Sequence, residues 1–420
     1  MTESSEDLHI QMDFNPSVYI NASLTMPTTF DVKIMMIRER IEKTGIVQSM
    51  VKHLHDPRDP NQSKHSLEKM LLLWFVRVIQ GLDPSIKDSD VAPALKSIHT
   101  KEDGNIVVHQ DSEPISQSMI SGLWSLLGLP NNFMEMEKGL LRIAVENILA
   151  RNGGNRPAEV ILDVGVMPTD SHGMQPVIRS ITRDIDVALL PLLITCAVTG
   201  DILGTERLRD IQHKVIYSQS FAIAIGKHIQ ACVSDRVIFR LNADFNRHHV
   251  FEDVDRAGLF YVMRFRKNKT LMQMAEAHFD ENGSSLNAYN YVELTYRANN
   301  WNYKRRMVMI VKPRQSELYE DYFFLLTNLD KKIYSAEDVA NMYEMRGKSE
   351  KHQNEINMFI DRVMESSAKD LRFCNEEKEM SHKDVSESVE SPQFTIKNGL
   401  HLLSALYVYQ ILVKPRTNPV

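Results

Sequence analysis

The sequence predicts a mixed α/β fold (α+β), in which helices pack on a sheet with both parallel and antiparallel strands. Two observations carry this prediction. Residues up to about 155 show the apolar spacing of helices, whereas short β-branched runs and helical stretches alternate over 160–265. Their order is three strands, a helix, a strand, a helix and a strand, which favours one mixed sheet with flanking helices.

The N-terminal region is predicted to be helical after a loose acidic tail over 1–25. The stretch "HSLEKMLLLWFVRVIQG" (65–81) places its apolar residues at helical spacing, and "SQSMISGLWSLLG" (116–128) repeats the pattern. The following "RNGGNRPAE" (151–159) is typical of a domain boundary. We therefore assign 26–155 to a helical N-terminal region.

The first part of a core domain is predicted over 156–267. The run "VILDVGV" (160–166) is a short apolar strand, and the runs at 192–198 and 201–209 flank the turn "TGD" as an antiparallel hairpin. The elements that follow are helix 220–233, strand 237–242, helix 247–258 and strand 259–265.

The core is predicted to be interrupted by a β-rich insertion over 268–330 and to resume over 331–420. Three strand-like runs form the insertion, at 289–296, 303–311 and 321–327. A long helix is predicted from Ala336 to about Glu365, and an apolar helix at 399–413 closes the chain. Between these helices, the segment 375–391 is acidic and is predicted to be a solvated loop.

Composition narrows the possible functions. Of 420 residues, 43% are hydrophobic and 25% are charged, as in ordinary globular proteins. No apolar run reaches the roughly 20 residues of a membrane span, so we expect no membrane partner. The three cysteines are far apart, which favours neither a disulfide framework nor a zinc site and fits the cytoplasm. The net charge of −6 means that any nucleic-acid surface must be local.

Polar residues at two strand positions and on one helix form a candidate site. Asp163 lies inside an apolar strand, where a carboxylate is costly unless it is paired or bound to a metal. Asn242 and Asp244 are two residues apart, so they share a strand face if the strand extends that far. One helical stripe consists of Tyr343, Arg346, Glu350 and Asn354. A salt bridge for Asp163 and a solvated face for the stripe are the structural alternatives.

Acids from two neighbouring strands and one helix suit a two-metal phosphoryl-transfer site. Mg²⁺ prefers oxygen ligands, and two such ions roughly 3.5–4 Å apart activate the attacking oxygen and stabilise the leaving one. The candidate catalytic and metal-binding residues are Asp163, Asp244 and Glu350, with Mg²⁺ or Mn²⁺ as the ion and no small-molecule cofactor. Tyr343 and Arg346 are candidates for positioning a phosphate.

A local basic cluster is the candidate DNA surface. From Arg240 to Arg314 the chain has thirteen Lys or Arg and eight Asp or Glu residues. The candidate phosphate contacts are Arg264, Arg266, Lys267, Lys269, Lys304, Arg305 and Arg306. Such contacts give affinity without sequence preference. The alternative is a basic hairpin that is merely solvated.

Several strings resemble the DDE transposases of bacterial insertion sequences, which are cut-and-paste enzymes with an RNase H-like catalytic domain. The strings are "GLDPSIKDSD" (81–90), "LDVGVMPTDSHGMQ" (162–175), "PLLITCAVTGDIL" (191–203), "RLNADF" (240–245), "YEMRGKSE" (343–350) and "LHLLSALYVYQIL" (400–412). The resemblance implies an RNase H-like sheet, an N-terminal region for DNA binding or assembly, and a homodimer on the double-stranded DNA of transposon ends. It also implies a bacterial protein associated with the nucleoid.

The sequence departs from this family at two acidic positions. The second acid of the family's Asp-x-Asp pair corresponds to Gly165, and the acid of its Arg-x-Asp string corresponds to Asn242. Only Glu350 stands where the resemblance places an acid. The acids that survive nearby, Asp163 and Asp244, are each displaced by two residues, roughly 6–7 Å along a strand.

Two functions follow from these departures. The first is a transposase that cleaves phosphodiester bonds and transfers DNA strands with a divalent metal, by way of the displaced acids. The alternative is a catalytically inactive, transposase-derived protein that binds DNA or regulates, because a neutral amide is a poor substitute for a metal-binding carboxylate. An RNase H-like nuclease unrelated to transposition is a third possibility.

Overall fold

The computed structural model describes most of the chain, and it confirms the predicted mixed α/β fold. The described residues are 38–59, 61, 63–79, 96–100, 106–110, 117–166, 190–208, 214–245, 248–282, 289–312, 321–346, 356 and 392–413. They form a helical N-terminal region and an eight-stranded mixed sheet with helices packed on it. The predicted tail at 1–25 and the predicted loop at 375–391 lie outside these residues.

Helices dominate the N-terminal region, as predicted. They are α1 (Ile46–His53), α2 (Leu67–Ile79), α3 (Gln117–Leu127) and α4 (Pro130–Arg151). A two-stranded antiparallel ribbon that the sequence did not predict lies between α2 and α3, formed by β1 (Lys96–Thr100) and β2 (Ile106–Gln110). The closing helix α9 (Pro392–Val413) packs among α2 and α4 and contributes buried residues to their core. Its Tyr407 hydroxyl donates to the Met136 carbonyl oxygen at 2.7 Å.

The eight-stranded sheet contains all the strands predicted between 160 and 327. These strands are β3 (Val160–Val166), β4 (Leu190–Cys196), β5 (Ile202–Leu208), β6 (Val237–Leu241), β7 (Phe260–Phe265), β8 (Asn290–Tyr296), β9 (Arg305–Val311) and β10 (Tyr322–Thr327). Their order is β5-β4-β3-β6-β7-β10-β9-β8. β3, β6 and β7 are mutually parallel, whereas the other neighbours are antiparallel.

The predicted insertion continues the core sheet, because β10 pairs directly with β7. The insertion also contains a helix that the sequence did not predict, α7 (Lys269–Asn282), which Asn268 caps by accepting the Leu271 backbone N–H at 3.0 Å. Two predicted helices, α5 (Lys214–Cys232) and α6 (His248–Arg256), pack with α7 on one face of the sheet.

The opposite face of the sheet is covered by α8 (Ala336–Glu344). Ser335 and Asp338 form a reciprocal capping box at its start, which satisfies backbone N–H groups that the first helical turn leaves unpaired. The sequence predicts a helix to about Glu365, but α8 ends at the C-cap Met345. Beyond it, the structure describes only Arg346 and Ile356 as helical, and the remaining positions up to 391 lie outside the described residues.

Candidate catalytic centre at the ends of three parallel strands

Residues of three parallel strands lie in one row on the sheet face that α8 covers. Asp163 in β3 lies opposite Arg240 in β6, and Arg240 lies opposite Val262 in β7. The Arg240 Nη1 group donates to the carbonyl oxygen of Met342 at 2.7 Å, so this row of residues faces α8. The carboxyl ends of these three strands therefore lie beneath the C-terminal end of α8.

The two positions that depart from the family pattern are neighbours. The paired register of β3 and β6 runs to Val164 and Leu241, and Gly165 and Asn242 are the residues that directly follow this last pair. Since side chains alternate along a strand, Gly165 lies on the α8 face, two residues beyond Asp163. Arg264 in β7 likewise follows Met263, which is the last residue of β7 to pair with β6. The row thus consists of a glycine, an amide and a cation.

Both carboxylate oxygens of Asp163 are engaged in a buried ion pair with Arg240. The Arg240 Nε and Nη2 groups donate to the two carboxylate oxygens, each at 2.6 Å. The Asp163 side chain is 0% exposed and that of Arg240 is 2% exposed. Sequence analysis singled out the carboxylate but missed the arginine, whose signal was a charged residue inside the apolar run "VIFRL" (237–241).

These residues do not fit a divalent metal ion. Such an ion at Asp163 would have to displace a guanidinium that satisfies both oxygens, or remain next to its positive charge. Gly165 has no side chain, and Asn242 offers at most a neutral amide oxygen. A binding site for Mg²⁺ or Mn²⁺ needs negatively charged oxygen ligands to offset the dehydration of the ion, and the described part of the row has none available.

Asn242 and Asp244 do not share a strand face, because β6 ends at Leu241 and the chain turns at once into a 3₁₀-helix over Ala243–Phe245. The Phe245 backbone N–H donates to the Asn242 carbonyl oxygen at 3.3 Å and closes this turn. The condition for a shared face, that the strand extends further, is therefore not met. The structure describes the backbone of Asp244 but not its side chain.

The helical stripe is described only in part. Tyr343 is 8% exposed and packs against Phe323, with 6.4 Å between the ring centroids. Arg346 is also 8% exposed and lies just past the end of α8. Glu350, the acid that the family pattern requires, lies outside the described residues, as does Asn354. The two described members of the stripe are therefore buried.

Comparison with known proteins identifies the family. Residues 24–371, most of the chain, match a family described as transposase DDE domain, group 1. The chain belongs to this family. The resemblance that the sequence motifs indicated is thereby confirmed, whereas no curated protein matches the chain.

A solved transposase also aligns with the chain. It is the piggyBac transposase in a synaptic complex with hairpin DNA, and it is 9% identical over 92% of this chain and 82% of its own, with a TM-score of 0.33. At this score, the likeness carries no weight for the fold or the function. Among the helices in the described ranges, none combines the length and hydropathy of a membrane span.

In this transposase-family chain, two members of the predicted basic cluster are held inside the protein. Arg305 is 5% exposed, and its guanidinium donates to Asp255 and to the Tyr261 hydroxyl. It also lies over the rings of Phe251 and Tyr303, at 4.5 and 4.4 Å from their centroids. Desolvation raises the pKa of Tyr261 above its ordinary value, so the phenol remains a neutral partner. Arg305 is therefore a packing residue.

Arg306 has a similar internal role. Its guanidinium forms an ion pair with Glu293 on the adjacent strand β8. It also donates to the carbonyl oxygens of Leu329 and Tyr334, each at 2.8 Å. A guanidinium with this many protein acceptors has little capacity for a phosphate, so Arg306 holds the chain that leads into α8.

The other predicted cations face solvent. The exposed members of the cluster are Arg264, Arg266, Lys267, Lys269 and Lys304. The Arg264 guanidinium lies over the Phe323 ring at 5.0 Å, and the Lys267 ammonium lies over the Tyr322 ring at 3.7 Å. Burial of its stem lowers the pKa of Lys267. Sequence analysis missed Lys312, which joins this group 5.6 Å from the Phe323 centroid and forms an ion pair with Asp321 at 3.2 Å.

Proposed function

We propose that this transposase-family protein binds double-stranded DNA without cleaving it. The observation that carries the proposal is the buried, bidentate pair of Asp163 and Arg240 beside Gly165 and Asn242. The pair satisfies the nearest described carboxylate, and the two positions that would carry acids in the family supply no negative charge. Among the described residues, the centre therefore offers no available carboxylate of the kind that a phosphodiester-cleaving metal site needs.

DNA binding is supported by the exposed cations next to this centre. Arg264 continues the row from Asn242, and Lys267 and Lys269 follow it along the chain into α7. All three are exposed, whereas the buried Arg305 and Arg306, whose guanidinium is satisfied by acceptors within the protein, are excluded from the contact. Because phosphate neutralisation releases counterions, the affinity should fall steeply with salt.

The proposal includes an origin in a bacterial insertion sequence and a location at the nucleoid, where a DNA-binding relative would act on transposon ends as a homodimer. A protein of this kind competes with an active transposase for the same ends. This role requires the DNA surface and the fold but no metal.

The experiment combines DNA binding with DNA nicking. Fluorescence anisotropy with labelled duplex DNA should show salt-sensitive binding by the wild type, and binding should be unchanged in Glu350→Gln. Supercoiled plasmid incubated with Mg²⁺ or Mn²⁺ should remain intact. As a matched pair, Lys267→Ala should weaken binding, whereas Lys331→Ala should not, because this exposed lysine follows β10 at the opposite ends of the strands.

The competing function is a working site built from Asp163, Asp244 and Glu350 around Mg²⁺ or Mn²⁺. It is favoured by one observation, that Asp244 follows Asn242 within the 3₁₀-helix at the same strand end. Metal-dependent nicking by the wild type that disappears in both Asp244→Ala and Glu350→Gln would establish this function and overturn the proposal.

A further inference from the structure

The two edge strands of the eight-stranded sheet, β5 and β8, differ in how far they are buried. At one edge, β5 lies against α5, and an ideal Cβ at Gly204 would come within 2.8 Å of the Phe221 ring. Ile202 and Leu203 in this strand are 0% exposed. At the other edge, β9 is the only strand in the described part of the chain that pairs with β8. Residues 290–295 of β8 are half-buried or exposed.

The β8 edge also lacks the features that usually prevent strands from pairing. Its sequence "NYVELTY" contains no lysine, arginine, proline or glycine. Its register with β9 is regular over seven residue pairs, without a bulge that would twist the edge away. The one charged side chain, Glu293, is already paired with Arg306 of β9. Among the described residues, no strand other than β9 pairs with β8, and an edge without the features named above is a template for another strand.

We infer that β8 pairs antiparallel with β8 of a second copy of this chain, with the two-fold axis at Glu293. This register places Val292 opposite Leu294 of the second copy, and Tyr291 opposite its Thr295. It joins the two sheets into one that continues across the dimer. A two-fold interface requires that a surface be complementary to itself, and this seven-residue strand meets that requirement on both faces.

On one face, the register completes an apolar surface. Val292 and Leu294 pack in part against the core that contains Trp301 and Phe265. Pairing would place Val292 against Leu294 of the second copy, and Leu294 against Val292 of the second copy. Apolar cross-strand pairs of this kind stabilise a sheet.

On the α8 face, the same register forms aromatic and charged pairs. Tyr291 stacks on Tyr289, with 6.2 Å between centroids, and would lie against Thr295 of the second copy. Aromatic and β-branched residues are a favourable cross-strand combination. The two Glu293 carboxylates would face each other, but each is neutralised by its own Arg306. The central row therefore consists of a cation, two anions and a cation, with no net charge.

Disulfide cross-linking of the full chain tests the register. Cys232 and Cys374 are first replaced by serine, whereas Cys196 is buried and stays. Directly opposed residues in an antiparallel pair have Cα atoms about 4.5–5.5 Å apart, which suits a disulfide. Glu293→Cys should therefore give a covalent dimer under mild oxidation. Thr295→Cys should not, because its two copies would be four positions apart, about 14 Å along the strand.

A mixture of two cysteine variants supplies the second readout and keeps the ion pair of Glu293 with Arg306. Tyr291→Cys and Thr295→Cys should cross-link when the two variants are combined and oxidised, although neither does so alone. Light scattering of the wild type should give twice the 48.3 kDa mass of the chain. A monomeric wild type would overturn the inference, as would a dimer in which the mixture fails to cross-link or every variant cross-links equally. These results are independent of DNA binding and of metal.

Discussion

Removal of the Asp163 carboxylate separates a structural ion pair from a metal ligand. In Asp163→Ala, the Arg240 guanidinium remains buried and loses two charge-assisted hydrogen bonds of 2.6 Å. At roughly 1.5–3 kcal/mol for each bond to a charged group, the free energy of unfolding should fall by about 3–6 kcal/mol. This agrees with the roughly 3–5 kcal/mol that loss of one partner of a buried pair usually costs.

The control removes both charges. Asp163→Val combined with Arg240→Met leaves an apolar pair of similar shape, and such replacements are often close to neutral. The double variant should therefore be more stable than Asp163→Ala. Urea denaturation followed by circular dichroism gives each free energy. If Asp163 were instead one of several acids of a metal site, its removal would relieve their repulsion and raise the free energy of unfolding of the metal-free protein. A change in Asp163→Ala within about 0.5 kcal/mol of wild type, the range of an ordinary surface substitution, would refute the ion-pair account.

Three further predictions follow from the described contacts. Arg305→Met should lower the urea denaturation midpoint, because it leaves Asp255 and Tyr261 without their shared partner. Its control, Lys269→Ala, should leave that midpoint unchanged and should instead reduce the slope of log DNA affinity against log salt concentration by about 0.9. Gly139→Ala should lower the unfolding free energy by about 1–3 kcal/mol, measured by urea denaturation, because its Cβ would lie 2.1 Å from the Tyr407 hydroxyl oxygen of α9. The hydrogen bond from Ser335 lowers the pKa of Asp338. The ionised carboxylate therefore contributes fully to the free energy of unfolding above the ordinary pKa of 3.8, and this contribution is lost as pH falls through the lowered pKa. In Asp338→Asn, the free energy of unfolding measured against pH should lack this acid-dependent loss.

Local sequence patterns predicted the sheet well because they are set by neighbouring residues. The run at 160–166 is mostly apolar and rich in β-branched residues, and it forms β3 over the same residues. The ribbon strands "KSIHT" (96–100) and "IVVHQ" (106–110) were missed because each is short and partly polar. Helix α7 was missed because strand-like runs surround its weakly periodic sequence.

The candidate site could be predicted only in its residue types. Asp163 attracted attention as a charge in an apolar strand, but its partner Arg240 is 77 residues away and meets it only through the parallel register of β3 and β6. Likewise, charge density along the chain placed Arg305 in a DNA surface. Its carboxylate partner Asp255 is 50 residues away in sequence, and only the folded chain brings the two together.

Calorimetric titration of Mn²⁺ into the purified wild type tests the central claim most directly. The account predicts no saturable binding by the wild type, because Asp163 is held by Arg240 and the positions of Gly165 and Asn242 carry no charge. It predicts that Gly165→Asp combined with Asn242→Asp gains binding, since two carboxylates would then stand where adjacent strands β3 and β6 stop pairing. Micromolar binding by the wild type that is lost in both Asp244→Ala and Glu350→Ala would contradict the account and assign a working metal site to the displaced acids.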